Sequence, residues 1–383
     1  MTRVDVNPAL YGWAIARARS SNLALAARFP RLAEWESGRS TPTLKQLEAF
    51  AATTHAPLGF FFLPAPPVEV VPIPDFRTIG GAPVADPSAN LLDTIYVCEQ
   101  RQEWYRDFAR AEGADPLAFV GSTHVGADVV ATGATIRETI GFDLASRANA
   151  ATWQDALRQF VGQAENAGIL VMISGVVLNN TYRKLDTDEF RGFAIADALA
   201  PVVFVNGSDS KSGQVFTLGH ELAHIWAGQS ALSNPQARDL DDGTAEQWCN
   251  AVAAELLVPV VAMRAAFDRH ADLHAEVQRL ARHFKVSTLV ILRRAHDIGA
   301  LDRGEFWSAY DTEVARLRSL GAGTTSGGNF HLTEAVRVSK RFARAIVVST
   351  LAGQTLYRDA FRMLGFSRME TFHEFGRSLG VVV

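Results

Sequence analysis

His220, Glu221 and His224 stand in the spacing His-Glu-x-x-His. The apolar residues around them recur with the period of one helical face, at Leu218, Leu222, Ile225 and Trp226. On such a helix the two imidazoles project side by side and can share one Zn2+, while Glu221 can reach a water on that metal. Peptide hydrolysis at a metal needs two neutral nitrogen ligands, an open coordination position and a carboxylate base. The alternative is a histidine pair hydrogen-bonded in the core, but the amphipathic helix and an available third ligand favour a metal site.

The third ligand is expected on the next helix, predicted between Thr244, which can cap it, and Pro259, which ends it. Glu246 lies in its first turn, and Asn250 follows one turn later on the same face, where it can hydrogen-bond a ligand. Glu255 lies nine residues after Glu246 and therefore points in another direction. We expect Glu246 to bind the metal and Glu255 to lie at the surface or behind the ligands.

Three apolar runs before the metal-binding helix predict strands, at residues 169–173, 190–195 and 201–206. The last of them precedes the helix. If it lies at a sheet edge, its free backbone groups can accept an extended peptide as an additional strand. The predicted substrate-binding residues are Val202, Val203, Phe204, Val205 and Asn206.

Composition limits the class of protein and its compartment. The 383 residues are enough for two or three domains, and the net charge of −4 gives no global reason to bind nucleic acid. With two cysteines, a disulfide scaffold is excluded, and Cys249 is expected to be a small buried residue although it lies near Glu246. We expect the cytoplasm, because no stretch reaches the roughly 18 uninterrupted apolar residues of a spanning helix.

Two helical segments outside this region raise the question of DNA binding. Residues 8–63 predict helices, but Pro30 interrupts the short stretch before Trp35, so the turn and the start of a recognition helix are missing. We expect a helical module that packs on the chain or docks a partner. Residues 275–301, with paired arginines at 293 and 294, are the better helix-turn-helix candidate, although such helix pairs often only support a neighbouring domain.

The run His220 to His224, together with Glu246, Asn250, residues 253–257 and Pro259, resembles the ImmA/IrrE family of metallo-endopeptidases, a gluzincin-like group. The resemblance covers roughly residues 160–300. It implies that His220, His224 and Glu246 bind zinc and that Glu221 is the general base. It also implies a substrate class, because members of the family cut phage-type repressors and DNA-damage-response repressors.

The amino-terminal residues resemble the second half of a Cro/repressor-type helix-turn-helix domain, chiefly at Trp35-Glu36-Ser37-Gly38. Together with Pro72 to Arg77 and Phe190-Arg191-Gly192-Phe193, they resemble a subgroup with a fused repressor-like module. That resemblance implies a link to toxin–antitoxin systems with a PIN-domain-like toxin, to transcription regulation and to the stress response.

The prediction is an α+β chain, mostly helical, with a small mixed sheet in the peptidase domain. We divide it into a degenerate helix-turn-helix module (1–63), a Pro/Gly-rich linker (64–90), a helical segment (91–160), a zinc peptidase domain with a helix-turn-helix-like end (161–300) and a helical carboxy-terminal module (301–383). The predicted function is cleavage of a specific regulatory protein. The alternative is a DNA-binding or antitoxin-type protein with a structural or inactive metal site. Tyr182, His331 and backbone groups remain candidates for the oxyanion donor.

Overall fold

The computed structural model describes residues 2–19, 22–76, 78–79, 82–83, 86–233, 244–319 and 330–381. These residues form two compact units. The first comprises residues 1–72 and 78–96, and the second comprises residues 73–77 and 97–383. The division into five segments stays a prediction.

The first unit is helical. Its helices are α1 (Ala9–Ala18), α2 (Asn22–Arg28), α3 (Leu32–Glu36) and α4 (Leu44–Thr54), followed by the 3-10 helix Leu58–Phe62 and the hairpin β1 (Thr78–Ile79) and β2 (Ala82–Pro83). An aromatic cluster fills its core, with Tyr11 in contact with Trp35, Phe50 and Phe61. Such ring pairs stabilise a small core beyond the area that they bury.

Local sequence sets the ends of the short helices in this unit. Gly38 has φ +68°, the left-handed conformation that a glycine adopts readily after a helix, and Thr43 caps α4 in a capping box with Gln46. Helix α3 has 5 residues. A helix of about one turn offers few side chains to a DNA groove.

The second unit is built on a mixed four-stranded sheet. Its strands are β3 (Leu170–Ser174), β6 (Gly192–Ile195), β7 (Val202–Asn206) and β8 (Ala231–Ser233), in the order β3-β7-β6-β8. β3 and β7 are parallel, whereas β6 is antiparallel to both β7 and β8. A separate hairpin, β4 (Val176–Val177) and β5 (Asn180–Lys184), follows β3.

The remaining elements of the described chain are helices. They are α5 (Ala89–Ala111), whose first turns belong to the first unit, α6 (Val129–Ile140), α7 (Leu144–Ala148), α8 (Trp153–Asn166), α9 (Lys211–Trp226), α10 (Ala245–Leu257), α11 (Val260–Ala266), α12 (Leu273–Phe284), α13 (Thr288–Asp297), α14 (Arg303–Ser319), α15 (Phe330–Val338), α16 (Lys340–Leu351), α17 (Tyr357–Leu364) and α18 (Met369–Ser378). Helix α9 packs against β6, β7 and α10, while α15 and α16 pack against β3. The α+β fold class is therefore confirmed.

Several short elements were not predicted. Strand β8 has three residues, which are too few to show a periodic pattern. The β1–β2 and β4–β5 hairpins and helix α11 also lie in stretches for which no strand or helix was predicted.

The paired arginines of α13 are bound within the protein. Arg294 is buried, donates from Nε to the carbonyl of Val258, and pairs with the buried carboxylate of Glu255. It also pairs with Asp297, as does Arg293. Both arginines therefore form ion pairs within the protein. Their presence in the sequence no longer supports DNA binding by α12 and α13. Glu255 is buried, so of its two expected positions, at the surface or behind the ligands, the surface position was wrong.

Among the described residues, no single helix is long and apolar enough to cross a membrane; the bent pair α10 and α11 passes that test only jointly and by length and composition.

Replacing Arg294 by methionine is expected to lower the free energy of unfolding by about 3–5 kcal/mol, because the buried Glu255 carboxylate loses its cationic partner and keeps, in the described part of the chain, only the amide of Val260. The matched control is Arg158→Met, which breaks an exposed pair with Asp155 and should cost less than about 1 kcal/mol. Urea unfolding followed by circular dichroism measures both. Equal losses in the two variants would contradict the structural role of the buried pair.

Candidate metal centre

Helix α9 places His220, Glu221 and His224 in the interior. Ser210 caps the helix by accepting the amide of Gly213, and every residue from Gln214 to Trp226 is buried. The two histidines are one turn apart, so both rings point to the same side of the helix. All three side chains have 0% exposure, which puts this polar group inside the core.

Helix α10 brings a carboxylate to the same place. Thr244 accepts the amide of Gln247 at the start of the helix, which sets Glu246 in the first turn. Gly219 of α9 faces Ala253 of α10 closely: a Cβ built on Gly219 would lie 3.6 Å from the Cβ of Ala253. Small residues at this crossing let the two helices approach each other.

His220, His224 and Glu246 form a cluster in which one ligand atom from each lies within 4.8 Å of the others. The Nε2 atoms of the histidines are 3.1 Å apart. Oε2 of Glu246 lies 3.2 Å from Nε2 of His220, and Oε1 lies 3.1 Å from Nε2 of His224. Two imidazole nitrogens and a carboxylate that converge in this way could hold one metal ion.

Asn250 orients one ligand. Its Oδ1 lies 2.9 Å from Nδ1 of His220, so that nitrogen carries the proton and leaves Nε2 free to bind a metal. This is the position that the sequence predicted for Asn250. The ring of His224 is held differently, because Phe76 stacks on it with centroids 6.2 Å apart and planes 15° from parallel.

Glu221 is a buried carboxyl group, and neither of its oxygens is within hydrogen-bonding geometry of a donor in the described part of the chain. Burial, and then the charge of Glu246, raise the pKa of Glu221 well above its usual value, while the Ser233 hydroxyl lowers it by a smaller amount. Burying a carboxyl group without a hydrogen bond costs free energy, so Glu221 requires a cation or a water molecule beside it. A metal ion in the neighbouring cluster would meet this requirement.

Gly192 of β6 makes room for that carboxyl group. A Cβ atom at this position would lie 2.5 Å from Cγ2 of Thr217, 2.8 Å from Oε1 of Glu221 and 2.9 Å from the carbonyl oxygen of Phe204. Contacts this short do not occur in folded proteins, so a larger residue would push Glu221 or the strand out of place. Gly192 lies in the run Phe190-Arg191-Gly192-Phe193, but no sequence pattern indicated this role.

Glu246 carries the negative charge of the site. Burial raises its pKa, but the two histidines outweigh that effect and hold the pKa at about 2. Burial also lowers the pKa of the His224 imidazole, which keeps its ring neutral. A neutral imidazole beside an ionised carboxylate suits the binding of a divalent cation.

Cys249 is buried in the core and lies outside this cluster. Burial, followed by the charges of Glu246 and Glu221, raises the pKa of its thiol well above the usual value. A protonated thiol is a poor metal ligand, so its surroundings agree with the predicted role as a small core residue.

The predicted substrate-binding strand must be corrected. Val202, Val203, Phe204, Val205 and Asn206 form β7, which is paired on one side with β3 and on the other with β6. Its backbone groups are already bonded, and all five residues are buried. The edge next to the cluster is β8, where Oγ of Ser233 lies 3.4 Å from Nε2 of His224.

The two side chains proposed as oxyanion donors are not brought to the cluster by any described contact. Tyr182 is 97% exposed on the β4–β5 hairpin. His331 lies in α15, and its side chain lies outside the described residues. Both stay predictions.

Residues 164–296 match a peptidase family model described as the IrrE N-terminal-like domain. The match includes every residue of the cluster, together with Glu221 and Asn250, and it supports a metallopeptidase domain of the ImmA/IrrE type. Residues 338–378 match a second family model, described as a domain of unknown function. No curated protein and no solved structure matches the chain.

Replacing Gly192 by alanine is expected to destabilise the protein by about 1–3 kcal/mol and to displace the Glu221 carboxyl group, because the added methyl group overpacks the site. Thermal unfolding and a crystal structure of the variant measure the two effects. The control is Gly162→Ala on α8, where a Cβ meets nothing within 4 Å. Unchanged stability and an unmoved Glu221 in the Gly192 variant would contradict this role.

Proposed function

We propose that this chain is a zinc-dependent endopeptidase that cleaves a specific regulatory protein. One observation carries the proposal: a cluster of His220, His224 and Glu246 stands beside the fully buried carboxyl group of Glu221. The family match over residues 164–296 supports the peptidase activity. Two imidazoles and one carboxylate favour zinc among the common metals.

The chemistry divides between the ion and the protein. When bound, zinc lowers the pKa of a water molecule toward neutrality and polarises a carbonyl oxygen. Glu221 takes a proton from the attacking water molecule while the water oxygen bonds to the carbonyl carbon. Glu221 then delivers that proton to the peptide nitrogen as the peptide bond breaks. Asn250 keeps the proton of His220 on Nδ1 throughout.

The burial of the site supports a selective enzyme. His220, Glu221 and His224 have no exposed surface, and the Glu246 side chain is 15% exposed. A polypeptide must therefore displace part of the protein to reach the cluster, so general peptides are poor substrates. Together with the resemblance to peptidases that act on repressors, this favours a repressor-type regulator or a toxin or antitoxin partner as the substrate.

Purified protein is expected to retain about one zinc per chain after dialysis, whereas His224→Ala and Glu246→Gln should lose most of it. Inductively coupled plasma mass spectrometry measures the content. The control is His283→Ala, since His283 is exposed and lies outside the cluster. Equal zinc in all four proteins would place the ion elsewhere.

Replacing Glu221 by glutamine should keep zinc bound but reduce cleavage by about 10²–10⁴-fold, since an amide cannot accept the water's proton.

The substrate is found by comparing the proteomes of cells that express the wild type, Glu221→Gln or the control Glu138→Gln, which alters an exposed glutamate. The expected result is a cleaved protein in the wild type and the control but not in Glu221→Gln. Undiminished cleavage in Glu221→Gln would contradict the mechanism.

A further inference from the structure

Residues 73–76 lie along the side of β8 that faces away from β6, in the position of a short additional strand. The amide of Leu232 donates to the carbonyl of Pro74 over 2.8 Å, and the amide of Phe76 donates to the carbonyl of Leu232 over 3.0 Å. Asp75 and Leu232 form a parallel bridge. The linker therefore contributes main-chain bonds to the sheet of the second unit.

These two bonds use the outward groups of the edge strand. In an antiparallel pair, successive residues direct their backbone groups to opposite sides. The carbonyl of Ser233 accepts the amide of Arg191, so Ser233 faces the inner strands and Leu232 faces outward. A polypeptide that added to this edge of β8 would need the same amide and carbonyl of Leu232.

Side chains fix the segment at both ends. Ile73 is 6% exposed, and the half-buried ring of Phe76 stacks on the imidazole of His224. Stacked rings prefer this near-parallel arrangement. The segment thus reaches from the sheet edge onto a residue of the metal cluster.

We propose that residues 73–76 are an intramolecular ligand of the peptidase site. They hold the strand position that an extended substrate polypeptide takes, and the ring of Phe76 marks a subsite for an aromatic side chain. The identification of the displacing polypeptide as a substrate rests on the proposed function. Competition between residues 73–76 and another polypeptide for the edge of β8 does not depend on that function. The enzyme is closed until a polypeptide with a better-fitting strand displaces the segment.

The opposing interpretation is a permanent strand of the sheet that never leaves β8. The two differ in whether a peptide of the same sequence can bind from solution. A peptide can bind from solution only when residues 73–76 leave β8. Weakening the contacts of residues 73–76 should therefore increase the affinity for the peptide.

The first experiment measures binding without cleavage. In zinc-loaded Glu221→Gln protein, fluorescence anisotropy follows a fluorescein-labelled synthetic peptide with the sequence of residues 71–79. Adding Phe76→Ala to the protein should tighten peptide binding by about tenfold, because the internal competitor loses its ring contact. The control is Val70→Ala, an exposed apolar residue of the same linker, which should leave the affinity unchanged.

An unlabelled peptide with alanine in place of the phenylalanine should compete about tenfold less well, which would establish the aromatic subsite. The proposal would be overturned if the peptide bound the Glu221→Gln protein with the same affinity with and without Phe76→Ala. It would also be overturned if the peptide bound neither protein.

A second measurement keeps the test independent of peptide binding. Amide hydrogen exchange at Leu232 should become about tenfold faster in Phe76→Ala, while Val203 in the central strand β7 stays protected. If Leu232 exchanges as slowly in the variant as in the wild type, the segment is a permanent strand. Neither readout involves proteolysis, so a failed cleavage assay would count against the proposed function alone.

Discussion

The structure depends on burying four polar side chains at one point between two helices. His220, Glu221 and His224 have no exposed surface, and the carboxylate of Glu246 lies within 3.2 Å of both imidazoles. Removing such groups from water costs free energy, and a carboxyl group without a hydrogen bond costs the most. A cation held by His220, His224 and Glu246 would offset part of this cost, because it would balance the charge of the Glu246 carboxylate.

The surrounding elements supply what a charged site in a core requires. The close crossing of α9 and α10 brings the ligands within reach of one another, and Asn250 orients His220. Gly192 leaves space for the Glu221 carboxyl group. At the edge of the sheet, residues 74–76 bond to β8, and the ring of Phe76 stacks on His224. The geometry of the cluster and the contacts that cover it are thus set by different parts of the fold.

The sequence predicted the parts of the site that depend on local geometry. His220 and His224 face the same way because any helix places residues four apart on one side, and the same argument pairs Glu246 with Asn250. The strand order could not be derived in this way, because pairing is set by distant residues. The unbroken apolar run of Val202 to Val205 was nonetheless a sign of a central strand, since a strand buried on both faces shows no alternation.

Two other features lay outside the reach of sequence patterns. Strand β8 is three residues long, and Phe76 follows a proline-rich linker, so neither gives a periodic signal. Arg293 and Arg294 had the composition of a DNA-binding helix, but their partners Glu255 and Asp297 became visible only in three dimensions. Charge patterns predict contacts with a partner molecule only when the same charges are not neutralised within the fold.

X-ray absorption spectroscopy at the zinc edge of the zinc-loaded protein determines which atoms bind the ion. We expect a four-coordinate ion with bonds of about 2.0–2.2 Å to nitrogen and oxygen only, two of them from imidazole and one position filled by solvent. A sulfur neighbour at about 2.3 Å, or a first shell without imidazole, would contradict this expectation.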